Sequence, residues 1–284
     1  MFWQTSRFRI DLSRPQVMGI VNVTPDSFSD GGQHATTVQA LRHAEQLLAQ
    51  GADLLDIGGE STRPGSPAVS LQDELARVLP VVREAVHLGV PVSVDTYKPE
   101  VMQAVLDLGA DVINDIWALR QPGAREVVAR HPSCGVCLMH MHRDPQTMQV
   151  QPLEGDVIPA VNAFLQQELD RLLALGVAPE RVVLDAGVGF GKTVEQNFAL
   201  LARQSELAVQ GLPWLAGWSR KSSLGAVTQL PVEQRLVPST TAAVLAVDRG
   251  ARVVRVHDVQ ETRAALQVWQ AVCDAETPRI QQKA

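Results

Sequence analysis

The chain predicts a single (β/α)8 barrel with two long βα loops, one after its first strand and one after its second. Three observations carry the prediction. The length of 284 residues is close to the roughly 250 typical of one such barrel. Eight short apolar stretches each run into a residue that can do chemistry. Between them the apolar spacing turns helical, and strand alternating with helix argues for one closed parallel sheet, the TIM barrel, over two domains.

Taken in order, Val17-Met18-Gly19-Ile20-Val21 leads into Asn22, and Leu54-Leu55-Asp56-Ile57 into Gly58-Gly59-Glu60-Ser61-Thr62-Arg63. Val92-Ser93-Val94 leads into Asp95, and Val112-Ile113 into Asn114-Asp115. Val136 to Met139 ends in His140, and Val182 to Leu184 in Asp185. Leu215-Ala216-Gly217 precedes Ser219-Arg220-Lys221, and Val253-Val254 precedes Arg255 and His257. Polar groups at the same end of parallel strands are how this barrel builds an active site.

The helices fall between. Ala40, Leu41, Ala44, Leu47 and Leu48 form one stripe that stops at Gly51, and Leu71, Leu75, Val78, Leu79, Val82 and Val86 form another closed by Gly89. Val101, Val105 and Leu108 supply a third, and Val161, Phe164, Leu165, Leu169, Leu172 and Leu173 a fourth. Leu266, Val268, Trp269 and Val272 supply the last. An internal echo supports the repeat: Gly51-Ala52-Asp53, Gly109-Ala110-Asp111 and Gly250-Ala251-Arg252 each open an apolar strand, with Asp56, Asn114 or Arg255 five residues after the glycine. The loops from Asn22 to about Gly32 and from Gly58 to about Ser70 exceed the roughly two to six residues usual after a barrel strand, which marks them as flexible, lid-like segments. The core spans about 17–272, and the polar tail 274–284 is expected to fray.

Composition narrows the function. Hydrophobic residues at 45% and charged residues at 20% describe an ordinary globular protein. A net charge of -6 argues against a nucleic-acid partner. No apolar run approaches the roughly 18 residues of a membrane span, and the N-terminus lacks a signal-peptide core, so a cytoplasmic location is expected. Three cysteines fit a reducing compartment. Cys134 and Cys137 form a CxxC at the entry to a strand, whereas a redox pair normally opens a helix, so they read as structural.

Arg255 and His257 share one strand face and suit a phosphate or carboxylate; the plainer alternative is a surface ion pair. Asp95, Asn114 and Asp185 sit at equivalent strand exits and would together recognise a heterocycle bearing adjacent amino and ring N–H groups. For any one alone, helix N-capping is an even alternative. Ser219-Arg220-Lys221-Ser222 before a helix makes an anion site, unless it is a solvated basic turn. Gly187-Val188-Gly189-Phe190-Gly191-Lys192-Thr193 fails as a P-loop because Ala186 stands where a glycine is needed. It fails as a dinucleotide fingerprint because Lys192 does too. Its glycines instead suit close approach to a flat ligand. His140 and His142 lack a third ligand at metal spacing.

Two long motifs, Gly19 to Gly32 (GIVNVTPDSFSDGG) and Asp56 to Gly65 (DIGGESTRPG), with Ser93-Val94-Asp95-Thr96, Ile113-Asn114-Asp115-Ile116, Leu138-Met139-His140-Met141, Ser219-Arg220-Lys221-Ser222 and Arg255-Val256-His257-Asp258, give the chain a close resemblance to the dihydropteroate synthase family. The likeness runs from about Val17 to about Val272. It implies condensation of 7,8-dihydropterin-6-ylmethyl diphosphate with 4-aminobenzoate, releasing pyrophosphate, and a sulfonamide target. It implies that Asp95, Asn114, Asp185 and Lys221 hold the pterin edge with Arg255 on the ring and Ile116, Met139 and Phe190 around it. Asn22, Thr62, Arg63, Arg255 and His257 would take the diphosphate, Asn22 through Mg²⁺. Phe28, Thr62, Arg63, Pro64, Phe190, Lys221 and Ser222 would line the aminobenzoate pocket. Asp30, on the first loop, would stabilise a cationic methylene, alongside Arg63, Lys221, Arg255 and His257 as the catalytic set. A homodimer is implied as well.

The chain departs from the family pattern at Ala186 and Val188, where Pro and Phe are usual, at Trp218 for Met and at Trp117 for Arg. No polar site residue is lost. A pterin-binding methyltransferase domain is the nearest rival, and a non-catalytic pterin-binding module the next. Both lack a reason to keep Asn22, Arg63, Lys221, Arg255 and His257 as a leaving-group clamp.

Overall fold

The computed structural model describes residues 1–23, 32–61, 67–143 and 152–276. The chain opens with a small antiparallel hairpin, β1 (Phe2–Gln4) and β2 (Arg9–Asp11). Eight parallel strands then close a barrel: β3 (Gln16–Asn22), β4 (Leu54–Gly58), β5 (Val92–Asp95), β6 (Val112–Asp115), β7 (Gly135–Met139), β8 (Val182–Asp185), β9 (Trp214–Ala216) and β10 (Ala251–Val256), with β10 pairing back onto β3. The eight-stranded barrel is the one the sequence predicts.

Helices α1 (Gly32–Ala49), α2 (Leu71–Ala85), α3 (Pro99–Asp107), α4 (Ala124–Arg130), α5 (Val157–Leu173), α6 (Val194–Ala202), α7 (Ser222–Thr228), α8 (Leu236–Asp248) and α9 (Val259–Glu276) wrap the outside. Local signals start and stop several of them. Ser70 caps α2 by accepting from the Asp73 N–H, and Thr193 with Gln196 forms a capping box at α6. Gly51, Gly109 and Gly250 all take φ near +100°, the left-handed turn that ends a helix and feeds the next strand. The internal echo is therefore a repeated αβ turn.

The final helix corrects the sequence reading. Val268 and Val272 point outward, 68% and 53% exposed, and the inward face of α9 is Val259, Thr262, Leu266 and Trp269. The helix also continues through Asp274–Glu276, the start of the expected frayed tail. Residues 277–284 lie outside the described part.

The hairpin was not anticipated at all. It plugs the N-terminal end of the barrel: Trp3, Ile10 and Leu12 pack with Met18, Leu54, Val112, Cys137, Val183, Leu215 and Val253. Those seven barrel residues come one each from every strand except β5. Trp3 is fully buried and its indole N–H donates to the Arg181 carbonyl at 2.9 Å. Arg181 in turn donates to the carbonyls of Cys134 (2.7 Å) and Val128 (2.9 Å). Burying a large aromatic this way is worth a few kcal/mol, on the order of 3.

Cys134 and Cys137 are free and buried. Burial pushes both thiols up, which is the opposite of what a redox pair needs.

Candidate active site at the barrel mouth

Strand register places the polar groups. Asp95 pairs with Asn114 across β5 and β6, and Gly58 pairs with both Asn22 and Asp95. The C-terminal ends of β3 to β6 therefore deliver Asn22, Asp95 and Asn114 to one rim. Arg255 reaches in from β10, its Nε donating to Asp56 Oδ2 at 2.6 Å and its Nη2 to Asp95 Oδ2 at 2.8 Å. Asn114 Nδ2 donates to the same Asp56 Oδ2 at 3.2 Å, and Ser93 Oγ to Asp56 Oδ1 at 2.6 Å. One buried carboxylate thus ties four strands together.

None of the three candidate residues caps a helix. Arg255 is no surface ion pair either. Burial works against its charge, but Asp56 and Asp95 outweigh that and raise its pKa. Burial pushes Asp95 up to about 7 against the pull of Arg255. A carboxylate poised there can accept an N–H as an anion or donate as an acid.

The opposite rim comes from β8 and β9. Asp185 accepts from the Gly187 N–H at 2.7 Å, and burial raises its pKa while that bond and Lys221 pull it back. Lys221 is pushed down to about 8 by burial, with Asp185 opposing. Its Nζ sits 4.3 Å from the centre of the Phe190 ring, a cation–π contact. Phe190 shares an apolar wall with Ile116, Met139 and Met141, flanked by Tyr97 and Trp117. Ser222 opens α7 at the surface.

The four-residue basic turn splits. Arg220 faces away, bonded to Asp258 at 2.6 Å, while Ser219 Oγ meets His257 Nδ1 at 2.9 Å and accepts from the His257 backbone N–H at 3.1 Å. Arg255 and His257 therefore have separate anchors on the same rim.

Phe28, Asp30, Thr62, Arg63 and Pro64 lie outside the described residues. What precedes the second loop is braced, however. Lys98 bonds Glu60 and Glu74, Tyr97 donates to Glu60 Oε1 at 3.0 Å, and Arg77 donates to the Gly59 carbonyl at 3.0 Å. Among the described residues no three His, Cys, Asp or Glu side chains gather as a metal site. His140 packs edge-on against Phe164, and burial drives its pKa well below the usual histidine range.

Sequence reasoning gave Asp56 no site role, although a carboxylate inside the apolar run Leu54–Ile57 was the available signal. Asp115 was missed likewise. Both its oxygens accept backbone N–H groups, from Trp117 at 2.6 Å and Leu119 at 2.8 Å. They hold a turn in which Ala118 and Leu119 both have positive φ.

Three of the four departures from the family pattern meet in one place. Ala186, Val188 and Trp218 line, together with Asp185 itself, a cavity of about 10 Å³, no more than one water could fill. Trp218 is buried against Phe198 at 5.5 Å. The exchange is internal and adjoins the polar rim at Asp185. Trp117 stands apart, edge-on to Tyr97 with its N–H on the Arg143 carbonyl at 3.1 Å.

A closed parallel barrel whose C-terminal rim combines buried carboxylates, an amide and cations defines a barrel enzyme acting on an N–H-rich heterocycle and an anion. The pterin binding enzyme family matches residues 18–257. Dihydropteroate synthase of Neisseria meningitidis serogroup B is 49% identical across 95% of this chain and 97% of that protein. The Burkholderia cenocepacia dihydropteroate synthase complexed with 7,8-dihydropteroate is 50% identical, with a TM-score of 0.90 over 97% of each chain. The Yersinia pestis dihydropteroate synthase with a sulfonamide drug complex is 48% identical, with a TM-score of 0.91 over 96% of this chain and 100% of that one. The chain belongs to the dihydropteroate synthase family, a family of transferases within the pterin-binding enzymes.

Proposed function

We propose that the barrel mouth joins 7,8-dihydropterin-6-ylmethyl diphosphate to 4-aminobenzoate, giving 7,8-dihydropteroate and pyrophosphate. The observation that carries the reading is the buried Asp56–Arg255–Asp95 group beside Asn114, facing Asp185 and Lys221. Asp95, Asn114 and Asp185 would take the amino and ring N–H groups of the pterin, with Lys221 at its edge. Ile116, Met139 and Phe190 supply flat apolar contact, and Arg255 lies on the ring.

The diphosphate end falls to Asn22, Arg255 and His257, with Thr62 and Arg63 from the second loop. A Mg²⁺ ion fits the donor set at Asn22. A lone amide oxygen suits an ion that keeps most of its waters and arrives on phosphate oxygens. When bound, such an ion neutralises charge on the diphosphate. Ser219 fixes the His257 ring at 2.9 Å.

The reaction runs by departure first. The methylene C–O bond breaks and its electron pair leaves with the diphosphate, while the electron-rich pterin holds the positive charge on the methylene. The aminobenzoate nitrogen then bonds that carbon and loses a proton to solvent. No strong base is required, only cations placed where negative charge develops. Asp30 would face the cationic carbon once the first loop closes. Phe28, Thr62, Arg63, Pro64, Phe190 and Ser222 would shape the aminobenzoate pocket, with Lys221 pairing its carboxylate. A sulfonamide would compete there.

The whole chain, 1–284, acts as one unit on small molecules, in the cytoplasm; free thiols suit that compartment. A homodimer is supported by the exposed apolar side chains of Val227 on α7 and Leu236, Val237 and Leu245 on α8.

The test is product formation by purified protein from the two substrates, with Mg²⁺ and with chelator. Dihydropteroate dependent on both substrates and lowered by chelator is expected. Pterin binding without product would move the chain to a binding or methyl-transfer role.

A further inference from the structure

Lys192 is 5% exposed and makes no direct ion pair with a carboxylate among the described residues. Its Nζ donates instead to three carbonyls: Gly187 at 2.8 Å, Phe190 at 3.1 Å and His140 at 3.3 Å. An ammonium has three N–H bonds, so the donor count matches the acceptors. A buried cation without a directly bonded carboxylate is costly, and burial pushes this one down to about 7, with Asp185 opposing and Lys221 adding to the shift.

The three carbonyls belong to two segments. His140 follows β7, whereas Gly187 and Phe190 lie in the loop after β8. Lys192 is therefore a staple between neighbouring βα loops.

The backbone around it is built for that contact. Gly187 has φ +67°, and a Cβ there would fall 1.9 Å from the His140 carbonyl oxygen. Gly191 has φ +71°, and its Cβ would fall 2.6 Å from His142 Cβ. No side chain fits at either position without displacing the neighbouring segment. The staple thus draws together two loops that glycine alone lets approach.

The loop so held carries Phe190, whose ring lies under Lys221 Nζ. The same loop is fixed on its other side by Asn197, which accepts from the Gly189 N–H at 2.9 Å and donates to Ser223 Oγ at 3.0 Å, one residue beyond Ser222.

We propose that Lys192 is a positioning residue for the aminobenzoate subsite: by gathering the His140, Gly187 and Phe190 carbonyls it sets the Phe190 ring beneath the Lys221 ammonium. Of the pterin-edge residues, Asp95 and Asn114 stand on other strands and do not depend on it, whereas Asp185, which accepts from the Gly187 N–H, touches the stapled loop. The inference rests on the functional reading above.

The experiment measures KM for each substrate and kcat in wild type, Lys192→Met and Lys192→Gln, with thermal melting of each. In Lys192→Met the KM for 4-aminobenzoate should rise by about tenfold or more, roughly 1.4 kcal/mol, and the KM for the pterin diphosphate by clearly less, since Asp95, Asn114 and Arg255 are untouched. Lys192→Gln, which keeps two N–H donors, should fall between. Unchanged aminobenzoate KM in either variant overturns the proposal. So does an equal rise in both KM values tracking a lowered melting temperature, which a merely structural lysine would give. If Lys192→Met does not fold, Lys192→Gln alone decides by the same split. Wild type that makes no dihydropteroate removes the functional reading instead, and calorimetric binding of 4-aminobenzoate then reads the Lys192 effect directly.

Discussion

The two ends of the barrel are made of opposite materials. At the N-terminal end Trp3, Ile10 and Leu12 close a dry floor, and the polar groups of Trp3 and Arg181 are spent on backbone carbonyls. At the C-terminal end Asp56, Asp95, Asn114, Asp185, Lys221 and Arg255 crowd charges into a rim where burial displaces carboxylates upward and lysine downward. The floor stabilises. At the rim Asp95 and Lys221 are brought to about 7 and about 8, a balance that a ligand makes useful. One scaffold separates the two duties by strand direction, with the Asp56–Arg255 network the place where the chemical end also carries stability.

The sharpest break in that division is Arg255→Met. It leaves Asp56 and Asp95 as buried, uncompensated carboxylates, each losing a charge-assisted bond worth roughly 1.5–3 kcal/mol of fold stability, and by removing the cation at the ring and diphosphate it should lower kcat/KM by about a hundredfold or more. Steady-state kinetics checks it, and denaturant unfolding should show a stability loss as well. Trp3→Ala should be the mirror image, with unfolding free energy reduced by about 3–5 kcal/mol in a urea titration.

A pH profile separates the rim further. Lys221 is protonated below about 8 and neutral above. Its attraction for the aminobenzoate carboxylate is therefore full at lower pH and lost as pH rises through about 8. The KM for 4-aminobenzoate should climb across that range, and Lys221→Met should raise the KM at low pH and flatten this limb. The smallest effect is expected from Ser219→Ala, which removes one anchor of the His257 ring: about a fivefold rise in the KM for the pterin diphosphate, near 1 kcal/mol.

Much of the rim was legible because strand ends announce themselves: an apolar run of two to five residues stopping at Asp, Asn or Arg carries both the fold and the site. Asp56 escaped because it sits inside such a run, and its role depends on Arg255 from the far end of the chain. Lys192 escaped because its partners are carbonyls, which leave no mark in a side-chain pattern. The hairpin was hidden by brevity, with three-residue strands and no alternation long enough to read. α8 was hidden for another reason: it is apolar on nearly every side and contains Pro238, so no stripe stands out. Val268 and Val272 misled for the converse reason, being apolar residues on the solvent side of α9.

The separation of duties is tested most directly by dihydropteroate formation per folded molecule in Asp185→Asn beside Trp3→Ala, at a temperature where both are folded. Trp3→Ala should turn over within about twofold of wild type, while Asp185→Asn should lose about tenfold or more, the worth of one charge-assisted bond to the pterin. Near-normal turnover in Asp185→Asn, or a loss in Trp3→Ala as large as that, would contradict a chemical mouth over a structural floor.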